Sequence, residues 1–438
     1  MKKSAHNLLV QLNEERWFIA NPLSGNADLL TSEEAEDYRR DRPAKRPLFE
    51  ERGYIVDSEE ESAAYQAAYL DFIKERETDE VQIFYVPTYA CNFRCDYCYQ
   101  SEYDNPTSRD PRVLDAFFDY IDAAFAHVPK YLTLFGGEPL LNSATQKADI
   151  SRFLEMADAR ALETAVVTNG YHVREYLDIL DSARLREIQI TLDGIREAQD
   201  RRRPLKDGGG TFERVVAGID ELLARNITVN LRLVLDRDNI DQLPGLADFA
   251  IQKGWTEHAA FKTQLGRNYA LHHCQKHPEN LYERLEMATV VAGLMAEHSH
   301  IAEFHKPTFH LAKTIGETGA LPPPNFDACP ATKTEWGFDY TGRIYGCTAT
   351  LGKLDACLGA FYPDVHLDED AVFEWQDRDV LSIDACRSCN ARLVCGGGCG
   401  ALAHNKNGAV LSPDCRPVAE ISAVGANLYL REIIKSPA

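Results

Sequence analysis

The sequence predicts an α/β fold: a parallel sheet flanked by helices, with a small α+β region before it and a cysteine-rich region after it. Two observations predict the sheet. From about residue 80 to residue 265, short apolar runs alternate with segments of helical period. Six strand–helix units in series imply parallel strands with right-handed crossovers. A third observation sets the last region apart. Residues 329–415 hold eight of the twelve cysteines, with many glycines and few long apolar runs. Such a segment builds little core of its own and is expected to fold around metal.

The expected strands are Val81–Val86, Tyr131–Phe135, Thr164–Thr168, Ile188–Leu192, Thr228–Leu235 and Ala259–Thr263. One helix between them starts at Asp110 with Pro111 at its first position, and places Leu114, Phe117, Phe118, Ile121 and Phe125 on one face. Another starts at Thr211 and aligns Phe212, Val215, Val216, Ile219, Leu222 and Leu223. Periodicity alone leaves an open doubly wound sheet and a partial barrel both available. Upstream, the apolar runs 8–12 and 17–20 flank Asn13–Arg16 as a hairpin, Thr31 and Glu34 form a capping box, Gly53–Val56 reads as a third strand, and residues 58–78 read as helix. The expected domains are 1–78, 79–310 and 311–438.

Charge and cysteine use narrow the function. At 438 residues the chain has room for two or three domains. Its 68 carboxylates against 47 Lys and Arg give a net charge of −21, which makes nucleic acid a poor partner. The sequence has no apolar stretch long enough for a membrane helix and no secretory signal, so a cytoplasmic protein is expected, with no membrane partner. In a reducing compartment, a dozen cysteines read as metal ligands before disulfides.

Cys91, Cys95 and Cys98 stand at C-x3-C-x2-C spacing, just after the first strand. The carboxyl end of such a strand is where α/β ligands bind. Three thiolates on one loop can hold three irons of a cubane cluster and leave the fourth iron open to a small molecule. Three close cysteines without a nearby fourth suit zinc poorly. Gly136-Gly137-Glu138-Pro139 closes the second strand, Thr168-Asn169-Gly170 the third and Thr191-Leu192-Asp193-Gly194 the fourth. Gln199-Asp200-Arg201-Arg202-Arg203-Pro204 follows, then Gly210-Thr211-Phe212.

These motifs resemble those of the radical S-adenosylmethionine (SAM) enzymes. The resemblance implies a partial (β/α)6 barrel. It assigns a [4Fe-4S] cluster to Cys91, Cys95 and Cys98, with Tyr97 as the aromatic before the third cysteine. It assigns SAM to Gly136, Gly137, Glu138 and Pro139 at the ammonium, to Thr168, Asn169 and Thr191, and to Arg203 at the carboxylate. It further implies one-electron cleavage of SAM to a 5′-deoxyadenosyl radical. Gln199 stands where the family carries a histidine. A solvated basic loop is the other reading of Arg201–Arg203.

The C-terminal cysteines follow a second pattern. Cys329 precedes Gly342-x4-Cys347, then Cys386-x2-Cys389-x5-Cys395-x3-Cys399, and last Cys415. The string resembles the SPASM domain, which carries two auxiliary [4Fe-4S] clusters. That resemblance assigns Cys386, Cys389, Cys395 and Cys415 to an outer cluster, and Cys329, Cys347 and Cys399 to an inner one. Cys357 is the expected fourth inner ligand; an open site for a substrate thiol is the alternative. Cys274 is read as an ordinary thiol.

SPASM enzymes modify peptides or proteins, so the expected cofactors are three [4Fe-4S] clusters and SAM. The expected partners are a precursor peptide or protein and a flavodoxin- or ferredoxin-type reductant. Thioether or carbon–carbon crosslinking of a ribosomally made peptide is the leading reaction. Formylglycine formation, as in anaerobic sulfatase-maturing enzymes, is the runner-up. It is disfavoured because those enzymes carry an Asp where this chain has Thr348, although Asp355 or Asp339 could substitute. A multi-cluster electron carrier is the alternative from another class. Residues 1–78 have a winged-helix-like order, which suits either leader-peptide binding by strand addition or capping of the barrel.

Overall fold

The computed structural model describes residues 1–42, 45–100, 103, 110–271 and 277–435. Cys274 lies outside them. Six strands form the centre: β1 (Val81–Val86), β2 (Lys130–Leu134), β3 (Thr164–Thr168), β4 (Leu185–Thr191), β5 (Val229–Leu235) and β6 (Phe261–Arg267). All adjacent pairs are parallel, and each strand lies beside its predecessor in the chain. That order decides between the two sheets the sequence allowed. A doubly wound sheet needs a point where strand order reverses. Here it never does, so right-handed crossovers place every helix on one face and leave the other as a lumen.

The alternation along β5 shows the two faces. Val229, Leu231, Leu233 and Leu235 are almost fully buried against the helix layer. Asn230, Arg232 and Val234 take the opposite side. The helix Arg112–Ala124 buries Val113, Leu114, Phe117, Phe118 and Ile121 in the same core, and the helix Phe212–Ala224 buries Phe212, Val215, Val216, Ile219, Leu222 and Leu223.

The cysteine-rich region contributes more ordered core than its composition suggests. Its strand β7 (Glu335–Asp339) pairs in parallel with β1, and β8 (Arg343–Tyr345), β9 (Cys357–Ala360) and β10 (His366–Leu367) continue the sheet in antiparallel register. Trp336 and Phe338 bring this extension into the main core, with the Phe338 ring 5.4 Å from that of Phe117. The five-residue run is too short for periodicity to reveal it.

Near the N-terminus, Leu8–Gln11, Arg16–Asn21 and Asn26–Thr31 form an antiparallel meander, followed by helices Ser32–Arg39, Arg46–Glu51 and Ser58–Thr78. The capping box at Thr31 and Glu34 is present. The strand expected at Gly53–Val56 narrows to Ile55–Val56 and pairs with Lys2–Lys3 instead of the hairpin. The long helix lies against the cysteine-rich region. Tyr65, Tyr69 and Phe72 surround the buried ring of Phe326 at 5.2, 5.2 and 5.5 Å, and the Tyr69 hydroxyl donates to Asp379 Oδ2 at 2.7 Å. Among the described residues, no helix is long and apolar enough to cross a membrane.

Candidate active site

The lumen opens into a cavity of about 420 Å³ at the carboxyl ends of the strands. The sequence-selected Cys91, Cys95, Cys98, Tyr97, Gly136, Gly137, Thr168, Asn169, Thr191 and Arg203 all line it. The cysteine loop is held there by the turn that closes β2. The Gly137 amide donates to Thr88 O at 3.1 Å and the Glu138 amide to Ala90 O at 2.8 Å. Gly136 has φ +127°, and a Cβ on Gly137 would lie 2.3 Å from Ala90 O. Only glycine allows this approach.

Glu138 and Pro139 stand behind the wall. The Glu138 carboxylate is 1% exposed. It accepts from the Leu140 amide at 2.8 Å, the Thr168 hydroxyl at 2.6 Å and the Asn169 amide at 2.6 Å. Burial raises its pKa against those bonds. Glu138 therefore braces the exit of β3, while the Pro139 carbonyl accepts from Gln146 Nε2 at 2.8 Å.

Tyr97 connects the loop to a buried charge network. Its hydroxyl donates to Asp193 Oδ2 at 2.6 Å and accepts from Arg203 Nη1 at 2.5 Å. Asp193 is fully buried, and its Oδ1 accepts the Val234 amide at 3.0 Å. Arg202 is held by both oxygens of Asp236, at 2.8 and 2.9 Å. Gln199, at the histidine position of the resemblance, accepts the Asp193 amide at 2.9 Å and donates to Thr211 Oγ1 at 3.2 Å, a bracing role. The basic-loop reading fits Arg201 alone; Arg202 and Arg203 are 5% and 8% exposed.

The donor set fits a thiolate-held cluster with an organic cofactor beside it. None of the three loop cysteines is in a disulfide. Burial pushes Cys91 up to about 11 and Cys95 to about 12, so each remains a thiol until a metal displaces its proton. The buried Nε of Arg203 has no protein partner, leaving a donor for an added anionic group.

The C-terminal cysteines fall into two groups. Burial first, then the neighbouring Cys395, Cys389 and Cys415, push Cys386 up to about 11. Cys347 is raised by burial, then by Glu335, Cys329 and Cys399. Between the groups, Gly396, Gly397 and Gly398 take φ of +58°, +74° and +74°. A Cβ on Gly398 would lie 2.2 Å from Asp414 O. Cys357, the expected fourth inner ligand, is partly buried. It sits on β9, its thiol donates to Gly359 O at 3.2 Å, and it lines a separate cavity with Asp355 and His404.

This region also covers the lumen. Thr348 and Ala349, which follow Cys347, line the main cavity, and Tyr99, which follows Cys98, donates its hydroxyl to Thr348 O at 3.1 Å. Sequence reasoning missed Asp193, Tyr99, Arg232, Arg267 and Tyr269 as parts of this site. For Arg232 the signal was present: in Val229–Leu235 it falls on the polar side of the alternation.

Residues 85–250 match the model of the radical SAM superfamily. That stretch is similar to a radical SAM domain, and a cysteine-rich region follows it. Among curated proteins, it is 28% identical over 330 residues to the mycofactocin maturase MftC of Mycolicibacterium smegmatis, covering 71% of this chain and 76% of the relative. It is 31% identical over 189 residues to the GTP 3′,8-cyclase of Nautilia profundicola, covering 42% of this chain and 55% of the relative. The chain thus spans about half the length of that cyclase. Two solved structures share the fold. The structure of anSMEcpe with bound AdoMet matches at TM-score 0.61 and 15% identity, covering 81% of this chain and 94% of the other. Streptococcus suis SuiB bound to precursor peptide SuiA matches at TM-score 0.55 and 14% identity, covering 95% and 99%.

Proposed function

We propose that this chain is a radical SAM maturase that modifies a ribosomally made peptide, with thioether or carbon–carbon crosslinking as the reaction. The carrying observation is the meeting of the Cys91–Cys98 loop and the cysteine-rich region over one cavity, through Tyr99 and Thr348. Cys91, Cys95 and Cys98 hold a [4Fe-4S] cluster, and Tyr97, Gly136, Gly137, Thr168, Asn169, Thr191 and Arg203 form the SAM pocket. When bound, the cluster and SAM supply one-electron cleavage of SAM and hence a hydrogen-abstracting radical. The chain's own part is to orient and to exclude water. Arg203 is held by Tyr97 and would bind the cofactor's carboxylate, the two glycines let the turn approach the cysteine loop, and Thr348 and Ala349 line the cavity.

Cys386, Cys389, Cys395 and Cys415 hold an outer cluster, and Cys329, Cys347 and Cys399 an inner one. A flavodoxin- or ferredoxin-type protein supplies electrons. The relatedness to a mycofactocin maturase supports a peptide substrate. The formylglycine reading draws no support from the two alternative acids: Asp355 faces the separate cavity, and Asp339 is fully buried, accepting from Tyr89 Oη at 2.9 Å. Among the described residues the outer strand Asn26–Thr31 pairs only with Arg16–Asn21, so its other edge is the surface on which a leader peptide adds as a strand.

Iron counting on the anaerobically reconstituted chain tests the assignment. Three cubanes give about twelve irons. Cys98→Ala should abolish 5′-deoxyadenosine release from SAM and dithionite, while Cys415→Ala should lower iron but retain the SAM response. A reconstituted chain that releases no 5′-deoxyadenosine would make it an electron carrier instead.

A further inference from the structure

Among the described residues that line the cavity, Arg232 is a cation without an ion-pair partner. It projects from β5 into the lumen, in register with Thr191 on β4 and Gln264 on β6. Its Nε is buried without a hydrogen-bond partner, and among the described residues no carboxylate reaches its guanidinium. Gly266 is its neighbour on β6: a Cβ there would stand in ordinary contact with it, 3.4 Å from Arg232 Nε. The chain carries 68 carboxylates against 47 Lys and Arg, so a guanidinium left without one inside a cavity is not for want of partners. An enclosed cation without a counter-charge is costly unless a ligand supplies it.

The other charged residues that line the cavity each have at least one polar partner. Glu187 accepts from Asn230 Nδ2 at 2.9 Å and lies 3.5 Å from Lys262 Nζ. Arg203 is bound to Tyr97 and stands beside Cys95. Arg267 donates to Tyr282 O at 2.7 Å and lies 5.6 Å from the Tyr269 ring. Arg232 and Tyr269 line the same cavity as Arg267.

We propose that Arg232, which lines the cavity with Arg267 and Tyr269, binds a carboxylate of the substrate peptide inside the barrel. The proposal rests on the reading that this cavity receives a peptide. A guanidinium suits a carboxylate because its planar fork offers two parallel donors. The remaining carboxylate source, the methionyl end of SAM, is assigned to Arg203 and is separated by experiment.

The probes are N-acetylglutamate α-amide (side-chain carboxylate only), N-acetylalanine (terminal carboxylate only) and N-acetylalaninamide (neither). Each is titrated calorimetrically, at millimolar concentration, into the reconstituted, SAM-loaded chain. At least one carboxylate probe should bind, and the amide should not. Arg232→Gln should weaken the carboxylate probe roughly tenfold or more, with SAM affinity unchanged. Arg232→Lys should fall between. Iron content and circular dichroism identify a misfolded variant, and Arg232→Lys then carries the test. Equal binding of probes with and without a carboxylate, no binding of any probe, or no effect of either variant would overturn the proposal. Loss of SAM affinity with probe binding intact would also overturn it, by giving the carboxylate to the cofactor. Failure of the wild-type chain to respond to SAM would instead defeat the radical SAM reading, while the probe titrations still decide the role of Arg232.

Discussion

Replacing Gly137 with alanine probes how the cysteine loop is held. The new methyl group would lie 2.3 Å from Ala90 O, 2.4 Å from Tyr89 O and 2.6 Å from Tyr89 C. All three are backbone atoms, so no side chain can rotate away. Relief requires residues 88–91 to move by about 1 Å, and those residues lead directly into Cys91. Overpacking of this kind costs about 1–3 kcal/mol. Losing the bond from the Gly137 amide to Thr88 O adds about 1 kcal/mol. A destabilisation of about 3 kcal/mol should therefore appear in urea unfolding of the cofactor-free chain. On the reconstituted enzyme, a displacement near 1 Å should slow SAM cleavage by about 100-fold. A Gly137→Ala protein that unfolds at the wild-type urea concentration and cleaves SAM at the wild-type rate would refute the argument that this turn positions the loop.

Other perturbations separate bracing from open space. Gly293, in the helix Arg284–Glu297, has nothing within 4 Å of where a Cβ would stand, so Gly293→Ala should stabilise the chain by about 0.5–1 kcal/mol in the same assay. Gly398→Ala should cost about 3 kcal/mol, because a left-handed residue meets the Asp414 backbone. Asp236→Asn leaves the buried Arg202 with weaker partners and should cost about 3 kcal/mol by urea unfolding, more than the same change at exposed Asp241. Burial first, then Lys313, lowers the pKa of His305 from 6.5 to about 4, so its folded state favours the neutral ring. Its contribution to stability is complete above pH 6.5 and is lost as pH falls toward 4. Urea midpoints at pH 7 and pH 5 should differ less in His305→Gln than in wild type.

The six central strands were legible because a lumen-facing strand alternates and its helix-facing partners are strongly apolar. Their order was not legible, since pairing between segments leaves no mark on local periodicity. For this reason the choice between partial barrel and doubly wound sheet waited on the β1–β6 topology. The cysteine loop and the glycine turn were visible as motifs, but the work of Glu138 was not: its three hydrogen bonds reach residues two to thirty-one positions away. The same holds for Arg202, whose burial depends on Asp236, 34 residues on. Strand Asn26–Thr31 escaped notice because Asn26 and Asp28 interrupt its apolar character.

The central claim is that Cys91, Cys95 and Cys98 leave one iron of their cluster open to SAM. Electron paramagnetic resonance of the dithionite-reduced chain, recorded before and after SAM is added, reads that iron directly. A shifted spectrum in the wild type that vanishes in Cys98→Ala, with the remaining clusters still visible, is the predicted result. An unchanged spectrum on adding SAM to a fully iron-loaded chain would contradict the account.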